Sequence, residues 1–207
     1  MKQTFALCTA LLLLPMAHGT KVNNDSAGLP KQRVDLGACA FSAPMQPDFS
    51  MRLTEGKTPQ LANFHGKLIP GKTKRVAETW IRFTCEDTTE EVLDIHTSRT
   101  RSGDGQWSAP PSIDRKDVSY PQYLLLRGKN WDGAGVVRTS TGVDWDKRTR
   151  HLGFCLVHKA RALCGVAYDL QYEAWPKDNA QPYVLKFLQS IEFIDEPAPP
   201  AASASAP

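Results

Sequence analysis

Two aspartates flank a tryptophan at Asp144, Trp145 and Asp146, with Lys147 and Arg148 directly behind them. In an extended segment the two carboxylates face the same side, an arrangement that can hold a cation or raise the pKa of one of the pair. A solvated turn is the plainer reading and the preferred one: Asp144 caps the backbone and Asp146 pairs with Lys147 or Arg148. A second tryptophan sits among polar residues at Asn130, Trp131 and Asp132, and a third, Trp107, lies in the glycine- and proline-rich stretch GDGQWSAPP. Aromatic and arginine side chains anchor protein interfaces because they bury a large area with few rotatable bonds. Trp107, Trp131, Asp132, Asp144, Trp145, Asp146 and Arg148 are therefore the expected partner-binding residues. If residues 135–139 form one strand, the loops at 131 and 145 stand at its opposite ends and Trp107 can join either. Tryptophans folded back over the edges of the core fit the same pattern equally well.

Other chemistry finds little support in the residues. His65 and His96 stand alone, and His151 and His158 are seven apart on an expected strand, which places them on opposite faces. Glu90 and Glu91 form a second carboxylate pair. The nucleophile elbow GxSxG, the Walker loop and the dinucleotide fingerprint are all missing, so no catalytic residue, metal or cofactor is assigned.

Of five cysteines, Cys8 lies in an apolar run near the start, leaving Cys39, Cys85, Cys155 and Cys164. An even number in an exported chain points to disulfides, with three possible pairings. In HLGFCLVHKARALCGVAYDLQ two apolar stretches flank a turn about Lys159 and Ala160, and a two-residue loop there sets position 155 opposite 164. A cross-strand Cys155–Cys164 bridge leaves Cys39 and Cys85 as the long-range pair. Closing that loop of about 46 residues restricts the unfolded chain by about 3 to 4 kcal/mol. Lys159 and Ala160 are poor residues for a primed turn, so a longer loop with a shifted register stays open.

The ends say where such sulfurs would oxidise. Lys2, an apolar run from Phe5 to Met16 broken only by Thr9, and then Ala17, His18 and Gly19 follow the order of a secretory signal peptide cleaved after residue 19. The run is about a dozen residues, too short to span a bilayer. A periplasmic or secreted chain with no integral membrane segment after cleavage is expected. Residues 20–32 read as a flexible lead-in, 33–195 as one globular domain, and 196–207, rich in proline and alanine, as a disordered tail. Losing Lys2 lowers the formal charge from +3 to +2, too near neutrality for a nucleic-acid binder, and no basic run interleaved with aromatics occurs.

Alternation predicts strands at Val34–Phe41, Ser50–Leu53 and Asn63–Ile69. Val76–Cys85 should be a central strand, with Ala77, Thr79, Ile81, Phe83 and Cys85 on one face and Trp80 on the other. Asp87 followed by Glu90 resembles a helix start, although residues 88–98 could equally alternate as a strand. A long loop follows over 100–120. Tyr123–Arg127, Gly135–Thr139, His151–His158 and Arg161–Gln171 then read as a four-stranded meander. After them come an amphipathic helix carrying Tyr183, Val184, Phe187, Leu188 and Ile191, and a short strand at Ile191–Ile194.

The order implies an α+β fold, an antiparallel meander packed by a C-terminal amphipathic helix. The ending YVLKFLQSIEFID resembles the last helix and strand of the Mog1/PsbP-like domains, and VDLGACAFSAP is similar to their first strand. That resemblance implies a mostly non-catalytic, exported bacterial domain, some of whose members are immunity proteins against type VI secretion effectors. The expected function is a periplasmic, non-enzymatic protein-binding module, with immunity against a secreted toxin as its specific form. The alternatives are a small envelope metal-dependent hydrolase built on Asp144, Asp146 and a histidine, and a structural accessory of an envelope complex. The partner's identity and the oligomeric state stay open.

Overall fold

The computed structural model describes residues 29–54, 60–71, 73, 76, 78–109 and 121–195. The expected leader, most of the lead-in, residues 110–120 of the long loop and the tail lie outside them. The described residues form two antiparallel sheets and two α-helices. The strands are β1 (Lys31–Asp35), β2 (Ala40–Pro44), β3 (Phe49–Leu53), β4 (Leu61–Gly66) and β5 (Thr79–Asp87). After helix α1 (Glu90–Thr97) come β6 (Gln122–Arg127), β7 (Asp132–Thr139), β8 (Thr149–His158) and β9 (Arg161–Tyr172). Helix α2 (Gln181–Gln189) and the two-residue β10 (Glu192–Phe193) complete the described chain.

The larger sheet runs β3-β4-β5-β9-β8-β7-β6, and the smaller runs β1-β2-β10. The four expected meander strands are present in sequence order, and β5 is an interior strand. Its alternation holds: Thr79, Ile81 and Phe83 are buried while Trp80 is exposed. Two expectations change. The continuous strand over Val34–Phe41 is instead a hairpin, because the chain reverses through Leu36–Cys39 with Gly37 at φ 78°, a conformation open to glycine without strain. That hairpin recruits Lys31 and Gln32, so the lead-in ends two residues earlier than expected. Within residues 88–98, open between helix and strand on the sequence, the chain forms helix α1, and its cap is Thr89 instead of Asp87. Thr89 Oγ1 accepts from Val92 N at 3.3 Å, Glu90 and Glu91 sit in the favourable first turn, and Ser98 ends the helix at φ 52°.

The core lies between the sheets. Phe41 of β2, Phe49, Phe64 and Phe83 of β3, β4 and β5, Phe154 of β8 and Phe187 of α2 form one aromatic cluster with ring centroids 5.3 to 6.5 Å apart. Val184 and Leu188 of α2 are buried in the same cluster. Such rings contribute by burial and by tilted edge contacts of about 0.5 to 1.5 kcal/mol each.

The opposite, outer face of the larger sheet is divided. Over β7, β8 and β9 it carries α1, whose Leu93 packs on Cys155, Val157, Ala162 and Cys164. Gly153 permits the close approach, since a Cβ there would collide with the His96 carbonyl. Over β3, β4 and β5 no helix among the described residues lies on the same face.

Both expected disulfides are present. Cys155 and Cys164 are register partners across the hairpin that turns at Lys159 and Ala160, with Cα atoms 4.0 Å apart. The two-residue loop is feasible because Lys159 takes φ 55°. Cys39 and Cys85 tie the β1–β2 turn to the end of β5.

Candidate functional site

The expected binding residues separate into three groups. Trp131 is a correction: it is only 6% exposed, belongs to the core, and donates Nε1–H to the Ile191 carbonyl at 2.8 Å. A residue so enclosed offers nothing to a partner. Asp132 and Trp107 are engaged with each other. Arg101 pairs with both Asp132 oxygens at 2.8 and 3.2 Å, and Trp107 Nε1 donates to Asp132 Oδ2 at 2.7 Å. The described part of the long loop is thereby a small hairpin, Arg101 bridged to Trp107, clamped to the start of β7. Its task is to hold the loop on the sheet.

Trp145 alone keeps the expected character, at 59% exposure with Val143 beside it at 45%. Residues 145–147 form a single 3-10 turn, so the extended geometry needed to align Asp144 and Asp146 is missing. Asp144 pairs with Lys147 at 2.9 Å, and Arg148 donates to the Val143 carbonyl. The turn is present, but Asp144 makes no side-chain cap and instead takes the lysine assigned to Asp146. Trp131 and Trp145 do stand at opposite ends of β7, and Trp107 joins the first. Among the described residues no group of three His, Cys, Asp or Glu stands close enough to hold a metal ion.

Two clefts remain. One, of about 350 Å³, lies between the β1–β2 turn, the β8–β9 turn and the segment after β10. Its polar groups are paired among themselves. His158 stacks on Phe193, with Nδ1 2.6 Å from the Asn130 carbonyl and Nε2 2.9 Å from Asp195. Lys159 reaches Asp195 at 2.7 Å, and Arg161 pairs with Asp87. Hydrogen bonds from Lys159 and His158 hold the Asp195 carboxyl below the usual range. The cleft is a seam that closes the molecule.

The other cleft, of about 240 Å³, opens on the uncovered half of the outer face and is lined by Asn63, Trp80, Arg82, Tyr168 and Asp169. Register explains the grouping. His65, Trp80 and Tyr168 are successive partners across β4, β5 and β9, and Asn63 and Arg82 form the next row. The His65 ring stacks on Trp80 at 3.9 Å. His65 Nε2 lies 2.6 Å from Glu78 Oε2, a contact that is an ion pair when the imidazole is protonated. Arg82 Nε donates to Asn63 Oδ1 at 3.3 Å.

A bulge supplies the remaining wall. Arg150 pairs with Gln171 and Leu152 with Ala167, so β9 carries two more residues than β8 over this stretch. Ala167 and Leu170 both face the core, which turns the pair between them, Tyr168 and Asp169, toward the outer side. Asp169 takes φ 53° to do so. Bulges re-aim side chains beside functional sites, and a non-glycine residue at positive φ costs about 1 kcal/mol or more.

Trp80, at 49% exposure, and Tyr168, at 39%, are thus fixed side by side on a rigid sheet. Among the described residues the Trp80 Nε1–H, the Tyr168 hydroxyl and the Asp169 carboxylate have no hydrogen-bond or ion-pair partner in the protein. The sequence signal for this site was the alternation that set Trp80 against the core side of β5; the bulge left no such signal. No family model, no curated protein and no solved structure matches the chain.

Proposed function

We infer that this protein is a non-catalytic binding module of the bacterial envelope, and that it recognises its ligand with the uncovered half of the outer sheet face. The observation that carries this reading is the pairing of Trp80 and Tyr168 on adjacent strands beside Arg82, Asn63 and Asp169. Large aromatic side chains held half-exposed on an interior part of a sheet forgo burial that the fold could have used, and binding surfaces are where such exposure is retained. Two disulfides in a chain of this size support a periplasmic or secreted setting. Among the described residues no helix is long and apolar enough to cross a membrane. The Mog1/PsbP-like assignment fits the meander, late helix and short closing strand, with α2 contributing Phe187 to the aromatic core.

The test passes a solubilised envelope extract, polysaccharide and protein together, over immobilised wild-type protein and over the Trp80→Ala/Tyr168→Ala double variant. Material held by the first and released by the second is expected. Equal retention on both columns would remove this face from the function.

A second reading rests on Trp145 and Val143, which project from the β7–β8 loop. Such a knob suits a protein partner, and in its immunity form the partner is a secreted toxin. Co-purification with the product of a neighbouring gene, lost on Trp145→Ala, is the expected result for that form.

A further inference from the structure

We propose that the cleft formed by Trp80, Tyr168, Arg82, Asn63 and Asp169 binds one ring of a neutral glycan. The inference rests on the uncovered face being the recognition surface and goes on to name its ligand chemistry. Size comes first. About 240 Å³ is smaller than the roughly 300–1,000 Å³ of sites that enclose a drug-sized molecule, so the cleft takes one ring-sized unit of a longer ligand.

Charge narrows the class. One guanidinium and one carboxylate line the cleft. Arg82 opposes a quaternary or primary ammonium, which the aromatic pair alone would attract. Asp169 opposes a phosphate or sulfate, and among the described residues that line the cleft Arg82 is the single cation, where a phosphate backbone requires several. A neutral ligand meets neither penalty.

The remaining groups select among neutral ligands. A purely apolar segment would leave Asp169, and the ends of Arg82 and Asn63 not used in their mutual bond, desolvated against it without partners. A pyranose ring satisfies both halves of the cleft. Its axial C–H groups carry slight positive charge and lie against the negative faces of Trp80 and Tyr168. Its hydroxyls both donate and accept, so vicinal pairs meet the Asp169 carboxylate, the Arg82 fork and the Asn63 amide. The Trp80 Nε1–H and the Tyr168 hydroxyl supply further partners. His65, stacked beneath Trp80 and paired to Glu78, fixes the indole plane and so lowers the ordering cost on binding.

The experiment titrates the mature chain with maltotriose, laminaritriose and triacetylchitotriose, following tryptophan fluorescence and calorimetry, with phosphorylcholine, hexathymidylate and an apolar hexapeptide in parallel. Saturable binding of at least one trisaccharide is expected, with Kd in about the millimolar range. Trp80→Ala and Tyr168→Ala should each weaken it about tenfold or more, and Asp169→Asn by a comparable factor, while Ile95→Ala, an exposed apolar position on α1, leaves it unchanged. Unaltered melting curves of these exposed-site variants exclude misfolding as the cause. Silence of all three trisaccharides, tighter binding of any of the parallel probes, or full binding by Trp80→Ala overturns the proposal. If the trisaccharides fail while the double variant still releases envelope material, the face binds another chemistry and only the glycan assignment falls.

Discussion

One face of the seven-stranded sheet has been put to two uses. Over β7, β8 and β9 its side chains are small or apolar, Gly153, Ala134, Cys155, Cys164 and Ala162, and α1 with the 101–107 hairpin lies on them. Over β4, β5 and the far end of β9 the side chains are large and polar at their tips, His65, Trp80, Arg82 and Tyr168, and nothing among the described residues covers them. Flat, small side chains admit a helix, whereas tall aromatic ones standing on neighbouring strands exclude it and form a platform. The covered half is where the energy of this face resides, and the uncovered half is where its chemistry is available.

That contrast is most severely tested at Leu93, the fully buried contact of α1. Leu93→Ala should destabilise the protein by about 3 kcal/mol in chemical denaturation, because its cavity is lined by a sheet that cannot collapse. Next comes the hairpin bridge beneath the helix: Cys155→Ala/Cys164→Ala should lose about 2 to 3 kcal/mol, read as a lower melting temperature. Arg101→Ala should lose about 1 kcal/mol and release the 101–107 hairpin to faster amide exchange, since Asp132 and Trp107 share its clamp.

Acidification should act on the covered half too. Burial holds His96 and His151 below the ordinary value of 6.5; Arg138 adds to this at His151, and Glu86 opposes it at His96. The unfolded chain therefore takes up these protons first. Stability should decline as pH falls through about 6.5 and level off below the folded-state values, and His96→Gln/His151→Gln should flatten melting curves collected between about pH 8 and pH 5. The smallest effect is expected on the platform: Trp80→Ala, which loses a half-exposed ring and its stack on His65, should cost less than about 1 kcal/mol. A loss there as large as that of Leu93→Ala would erase the distinction between the halves.

Much of the frame was legible in the residues. The meander, the amphipathic C-terminal helix, the turn at Lys159 and Ala160 and the Cys155–Cys164 register all follow from local alternation and spacing. What stayed hidden depends on distant partners. Trp131 is buried because the Ile191 carbonyl, 60 residues later in the chain, receives its indole N–H, and no local pattern announces that meeting. Val34–Phe41 alternates through its own reversal, so periodicity could not show the turn that Gly37 makes. Thr89 and Asp87 are both good caps, and the choice falls to Thr89 because β5 extends through Asp87 to pair with Arg161. The platform was half visible: Trp80 declared its side of β5 and Tyr168 continues the regular ladder beside it, while the bulge that adds Asp169 exists only as a mismatch between two strands.

The pairing of β10 with β2 sets the order in which this molecule can be finished. Glu192 meets Ser42 and Phe193 meets Phe41, partners about 150 positions apart, and Lys31 reaches Glu192 across the same seam. The opening hairpin consequently waits with one flank unsatisfied until Glu192 and Phe193 arrive. Closure of so large a loop is slow, and during that interval the bare flank of β2 is where another unfolded copy could attach.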